Sequence, residues 1–173
     1  AYVLNIGMQG QFLLGALVAT ALSTRMMIFH QPVLVVPTAL LGGALAGGLW
    51  GLIAQYLERY RSVPVVLSTI LLNYVALYLV EAALKGPLRA VGTAAAQSPE
   101  IAGKYWLPLF VAYPDFHIGI ILAMALAVLL WVVQKSTIFG FKTRVVGLKP
   151  GTAKAMNMPV TRRQFQIMFI SGG

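Results

Sequence analysis

Four apolar stretches, each near the length needed to cross a bilayer, follow one another along the chain and decide what it can fold into. They run from about Phe12 to Phe29, Val33 to Tyr56, Val63 to Leu84 and Ile118 to Val133, and a fifth begins near Phe165. A helix needs about 20 residues to cross roughly 30 Å of hydrocarbon. The second and third stretches meet that length. The first, interrupted by Arg25, and the fourth are shorter and draw on flanking polar residues or local thinning of the bilayer. The backbone in lipid must pair its own polar groups, and a helix does so within one segment. The expected fold is all-α: a polytopic transmembrane helical bundle with about four complete spans plus a truncated fifth. No domain boundary is visible, so residues 1–173 read as one transmembrane domain. The chain starts at Ala1 without Met and stops at Gly173 inside an apolar run, which predicts a fragment with both ends missing.

Composition agrees. Hydrophobic residues make up 59% of the chain and charged residues 10%, against about 25% charged in a soluble domain. Mean hydropathy is +0.82. The chain has no cysteine, which excludes disulfides and thiolate metal sites. There are 13 Lys and Arg against 4 Asp and Glu. The basic residues sit in short segments between apolar runs, with no basic helix carrying interleaved aromatics, so nucleic acid is not an expected partner. Topology accounts for them better. With Glu58–Ser62 in the cytoplasm, the inner side holds Arg59, Arg61, Lys135, Lys142, Arg144, Lys149, Lys154, Arg162 and Arg163. The outer side then holds Arg25, Lys85, Arg89 and Lys104, a bias that favours this orientation. The apolar run Leu107–Tyr113 falls in the outer segment, where it is placed to touch the membrane surface.

Polar residues inside the apolar runs mark the places where chemistry is expected. Asn5, Gln9 and Gln11 open the first run among Gly7, Gly10 and Gly15, a pattern for a broken or closely packed helix start. Side-chain amides can pair the backbone groups that such a break frees. The third run carries Ser68, Thr69, Asn73, Tyr74 and Tyr78. Hydrogen bonding between helices is one reading of these residues. A neutral polar path for a hydroxyl-rich solute is the other, and both can hold at once. The candidate path residues are Asn5, Gln9, Gln11, Ser68, Thr69, Asn73 and Tyr74. Ala39, Gly43, Gly47 and Gly51 recur every four residues and predict close helix packing. Glu81 and Lys85, four apart, read as a solvated helix end.

The cytoplasmic segment Lys135–Arg163 contains a short helix with its own start and stop signals. Pro150 suits the first helical position, where its missing N–H costs nothing. Gly151 to Met156 tolerate helix, Asn157 suits a left-handed cap, and Pro159 blocks continuation. A short loop helix resting on headgroups and a docking helix for a cytoplasmic partner both fit, with Met156 and Met158 as adaptable contact residues.

This segment, Gly147-Leu148-Lys149-Pro150-Gly151-Thr152-Ala153-Lys154-Ala155-Met156-Asn157-Met158, resembles the coupling helix of binding-protein-dependent ABC permeases, in the subgroup that imports nucleosides and ribose-type sugars. Leu4-Asn5-Ile6-Gly7-Met8-Gln9-Gly10-Gln11 looks like the family's Asn-Ile-Gly-x-Glu-Gly-Gln opening of a core helix. Leu67-Ser68-Thr69-Ile70-Leu71-Leu72-Asn73-Tyr74 looks like its Ile-Ser-Thr-x-Met-Leu-Asn-Tyr helix. Gly86-Pro87-Leu88 and Gln97-Ser98 are similar to its outer loop, and Ser171-Gly172 to the start of its next core helix. Gln9 and Val65 stand where the family often has Glu, Lys149 replaces Asn, Thr152 replaces Ala, and Asn157 replaces Gly.

The resemblance implies a multi-pass permease subunit of the bacterial plasma (inner) membrane. Its implied partners are cytoplasmic ABC ATPase subunits, a second permease subunit (identical or not) and an extracytoplasmic substrate-binding protein. Gly147, Pro150, Thr152, Ala153, Lys154, Met156, Asn157 and Met158 would then contact the ATPase. The chain carries no phosphate-binding loop, so ATP is expected on the partner, with no cofactor, catalytic residue or metal ligand set here. A branched-chain amino-acid permease of the same superfamily is the alternative, and a non-transport membrane protein a third. An intramembrane hydrolase would need a Ser or acid paired with His inside a helix, yet His30 and His117 sit at helix ends.

Overall fold

In the computed structural model, residues 4–26, 31–93, 95–106, 109–112 and 115–173 are described. Phe29 and His30, at the end of the first apolar run, lie outside them, as do Leu107 and Tyr113, which bound the apolar outer segment. Helices follow at α1 (Met8–Met26), α2 (Pro32–Arg61), α3 (Val65–Lys85), α4 (Ile118–Ser136), α5 (Ile138–Leu148), α6 (Pro150–Ala155) and α7 (Val160–Gly172). Three of these, α2 from Val33, α3 and α4, are long and apolar enough to cross a membrane among the described residues. α1 has 19 residues, but Gln9, Gln11 and Arg25 dilute its apolar character. A feature absent from the all-helical expectation is a short antiparallel pair, β1 (Leu109–Ala112) and β2 (Asp115–His117), which ends directly before α4.

The chain forms two compact units, one of Val3–Tyr105 with Gln164–Gly173 and one built around Trp106–Arg163. In the first, α2 is the long axis, about 45 Å for its 30 residues. Pro32 stands at its start, and the left-handed Ser62 (φ 55°) ends it before Pro64 turns the chain into α3. α1 packs along the N-terminal half of α2. At Gly43 a Cβ would stand 3.0 Å from the Gly15 carbonyl oxygen, and at Gly15 the same distance from the Gly43 oxygen. The two backbones therefore meet with nothing between them, the geometry that small residues make available between membrane helices. Along the C-terminal half of α2, Ala54 joins Val65 of α3 and Met168 of α7 in a buried apolar cluster.

In the second unit, α4 is exposed and apolar along its length, and its Lys135 ammonium lies 4.7 Å from the centroid of Trp131. The Thr137 hydroxyl caps α5 by accepting from the Gly140 amide at 3.2 Å. Gly140 lies so close to the Gln134 carbonyl that a Cβ would collide with it. Arg163 stands 4.8 Å over the ring of Phe139. In the first unit, the last turn of α3 carries the expected i, i+4 ion pair of Glu81 and Lys85 at 3.2 Å, exposed on both sides.

Candidate functional site

A polar junction forms in the first unit near the midpoint of α2, at Gly47. A Cβ at Gly47 would collide with the carbonyl oxygen of Gly172, at the end of α7, and would stand 3.1 Å from the Gln11 carbonyl oxygen. One turn on, a Cβ at Gly51 would fall 2.6 Å from Gln11 Nε2 and 3.0 Å from the Met168 carbonyl oxygen. The start of α1 and the end of α7 thus arrive at the same two glycines from opposite directions. The small-residue stripe is the seat on which both sit, and Ala39 continues it as a buried position.

A helix that begins at this depth leaves amide N–H groups without helical partners, and an unpaired group in hydrocarbon costs several kcal/mol. Side chains supply the partners. Asn5 Oδ1 accepts from the Gly7 amide at 2.9 Å. Asn73 Oδ1, from α3, accepts from the Gly10 amide at 2.8 Å. The Asn73 amide nitrogen donates to the Ile6 carbonyl at 3.1 Å, so one side chain pairs a group just before α1 and one in its first turn. Asn5 Nδ2 donates to Gln11 Oε1 at 3.0 Å and to Ser171 Oγ at 2.9 Å, which ties the end of α7 to the start of α1.

The seven candidate path residues divide by position. Gln11 (3% exposed), Ser68 and Thr69 are buried. Thr69 donates to the Val66 carbonyl at 3.0 Å, whereas the Ser68 hydroxyl has no partner among the described residues. Gln9, Asn73 and Tyr74 open instead on a cleft of about 230 Å³, with Ile70 and Leu77 as its apolar walls. Gln9 and Tyr74 are both exposed there. A second, mostly apolar crevice of about 410 Å³ runs along the small residues of α1 and α2 and reaches Ser171. Sequence reasoning did not foresee the backbone groups of Ile6 and Gly10 as the partners of Asn73, nor Ser171 as a partner of Asn5. The glycines around Asn5 and Gln9 were the available signal.

Val65, where the resembled family often carries Glu, is 5% exposed in the apolar cluster with Ala54 and Met168. A carboxylate there would be buried without a cation among the cluster's side chains, so Val is the residue this packing accepts.

In the second unit, α6 has the boundaries its signals predict. Pro150 occupies the first turn, and Asn157 adopts φ 56°. Met158 N donates to the Ala153 carbonyl at 2.9 Å and Asn157 N to the Lys154 carbonyl at 3.0 Å, the paired bonds of a Schellman stop. Of the residues expected to face a partner, Thr152, Lys154, Met156 and Asn157 are exposed and Met158 is half-buried. Ala153 (0% exposed) and Gly147 turn inward, as does Val146. Among the described residues, no group of three or more His, Asp or Glu is placed to hold a metal.

Several helices of membrane-spanning length, a mid-helix junction closed by neutral amides and a separately capped short helix define a multi-pass membrane protein. Over residues 1–173 the chain matches the family model described as branched-chain amino acid transport system / permease component, and it belongs to that family. It is 32% identical over 171 residues to the guanosine ABC transporter permease protein NupP of Bacillus subtilis (strain 168), covering 97% of this chain and 48% of that protein. It is 30% identical to the glucose ABC transporter permease protein TsgB13 of Haloferax volcanii, covering 100% of this chain and 47% of the relative. To the nucleoside ABC transporter permease protein NupB of Lactococcus lactis subsp. cremoris (strain MG1363) it is 23% identical, over 97% of this chain and 48% of the relative. The chain spans about half the length of these curated relatives. No solved structure matches it.

Proposed function

We propose that this chain supplies pathway helices and the ATPase-docking helix of a permease subunit in an ABC importer for nucleosides or simple sugars, seated in a bacterial inner membrane. The observation that carries the reading is the neutral character of the junction: the polar side chains at the start of α1 are amides and a hydroxyl, with no charged side chain in the cleft lining. Hydroxyl-rich uncharged solutes are matched by such groups, whereas ions and protons call for charged relays. The names of the guanosine, glucose and nucleoside permeases above support the same solute class.

In this reading a second permease subunit completes the pathway, and an extracytoplasmic binding protein delivers the solute. ATPase subunits bind and hydrolyse ATP below and grip α6 through Thr152, Lys154, Met156 and Met158. Ala153 and Gly147 hold α6 against its own support rather than touching the partner.

The description of the family model favours a second reading, a branched-chain amino-acid permease. Uptake by the full-length protein, reconstituted with its ATPase and binding protein, separates the two. ATP-dependent uptake of guanosine or glucose that excess leucine leaves unchanged supports the first reading. Leucine uptake without nucleoside or sugar uptake supports the second.

A further inference from the structure

The cleft between the start of α1 and α3 has one reader and one platform. Asn73 lines it, but its oxygen already accepts from Gly10 N and its nitrogen already donates to the Ile6 carbonyl. Those bonds make Asn73 the residue that positions the α1 start. Gln9 lies one residue before Gly10, and its side chain makes no hydrogen bond among the described residues, nor does that of Tyr74. Both are exposed near the middle of α3, at the level of Asn73. A carboxamide at that depth is costly against lipid, so what borders this face in the membrane is polar. The volume, about 230 Å³, lies below the roughly 300–1,000 Å³ of pockets that enclose a whole drug-sized ligand, which suits a single ring.

Resting on the importer reading, we infer that Gln9 is the specificity-determining residue of a one-ring subsite, with the Tyr74 ring as its stacking surface. The ligand is a neutral ring that presents a hydrogen-bond donor beside an acceptor. A Gln amide offers one acceptor and one donor side by side and pairs with such an edge in two bonds at once. Two sources carry this edge: an adenine-type base, or neighbouring hydroxyls of a sugar. Glu in the same place offers acceptors only. It favours an edge with two adjacent donors, as on guanine, and still accepts from sugar hydroxyls.

The test uses the full-length permease with its ATPase and binding protein in proteoliposomes, with adenosine, guanosine and ribose as probes. If the source is a base, Gln9→Glu moves the ratio of guanosine to adenosine uptake upward at least tenfold relative to wild type. If it is a sugar, Gln9→Leu lowers ribose uptake at least tenfold while Gln9→Glu lowers it less than threefold. A readout independent of transport comes from Gln9→Cys in an otherwise cysteine-free protein. A water-soluble methanethiosulfonate labels it, and at least one of the three probes protects it. Uptake ratios within twofold of wild type in Gln9→Glu and Gln9→Leu, or a thiol that no probe protects, overturn the subsite while wild-type uptake leaves the importer reading standing. A wild-type protein that takes up none of the probes, and no glucose either, overturns both.

Discussion

The backbone amide of Gly10 in α1 donates to Asn73 Oδ1 in α3 at 2.8 Å, across 63 residues of chain. The other end of the same carboxamide donates to the Ile6 carbonyl. An amide can do both because it carries a donor and an acceptor on one plane. Asn73→Leu leaves the amide of buried Gly10 without its acceptor, at about 1–3 kcal/mol, and frees the more exposed Ile6 carbonyl as well. Asn73→Asp keeps the acceptor, loses the donor and adds a charge near the middle of α3. Both variants lower the melting temperature of the purified protein, and Asn73→Asp lowers it at least as much as Asn73→Leu. Equal stability of all three proteins contradicts the bracing role.

Gly47 is the tightest point of the seat, where a Cβ collides with the Gly172 carbonyl. Gly47→Ala forces α7 off α2 and costs about 1–3 kcal/mol. Gly151→Ala, on α6 where nothing lies within 4 Å of the added atom, gains up to about 1 kcal/mol of helix propensity instead. Thermal melts of the two variants move in opposite directions.

Asn157 holds the left-handed stop of α6 at φ 56°. Gly adopts that conformation freely, whereas a β-carbon costs roughly 1–2 kcal/mol there unless a short polar side chain compensates. Asn157→Gly preserves the stop. Asn157→Val frays it, read as faster proteolytic cleavage between α6 and α7 with the rest of the chain intact.

Much of this was legible in the sequence because the signals were local. Pro150, Asn157 and Pro159 bound α6 by backbone geometry alone, and the four-residue recurrence from Ala39 to Gly51 marks one face of α2 wherever its partner lies. What was not legible depended on distance in the chain. Nothing near Asn5 announces Ser171, which is 166 residues away. The inward turn of Ala153 is invisible for a related reason: a small residue on a short helix suits either face, and only tertiary packing decides. Strand β1 was missed because its four apolar residues read equally well as a surface segment, and β2 because three residues carry no alternation to recognise. The helix α5 was not expected from the sequence; in the structure the Thr137 side chain caps it.

The central claim is that α6 docks on an ATPase and that ATP moves the pathway through it. Lys154 is exposed on α6 and leaves the buried contact of Ala153 untouched, so Lys154→Cys in an otherwise cysteine-free full-length permease is the direct probe. A second cysteine is placed in the groove of the ATPase, and disulfide yield is measured with and without ATP. The account predicts a cross-link whose yield changes with nucleotide. No cross-link from a well-expressed pair, together with labelling of Lys154→Cys by an impermeant thiol reagent added from outside the cell, contradicts it.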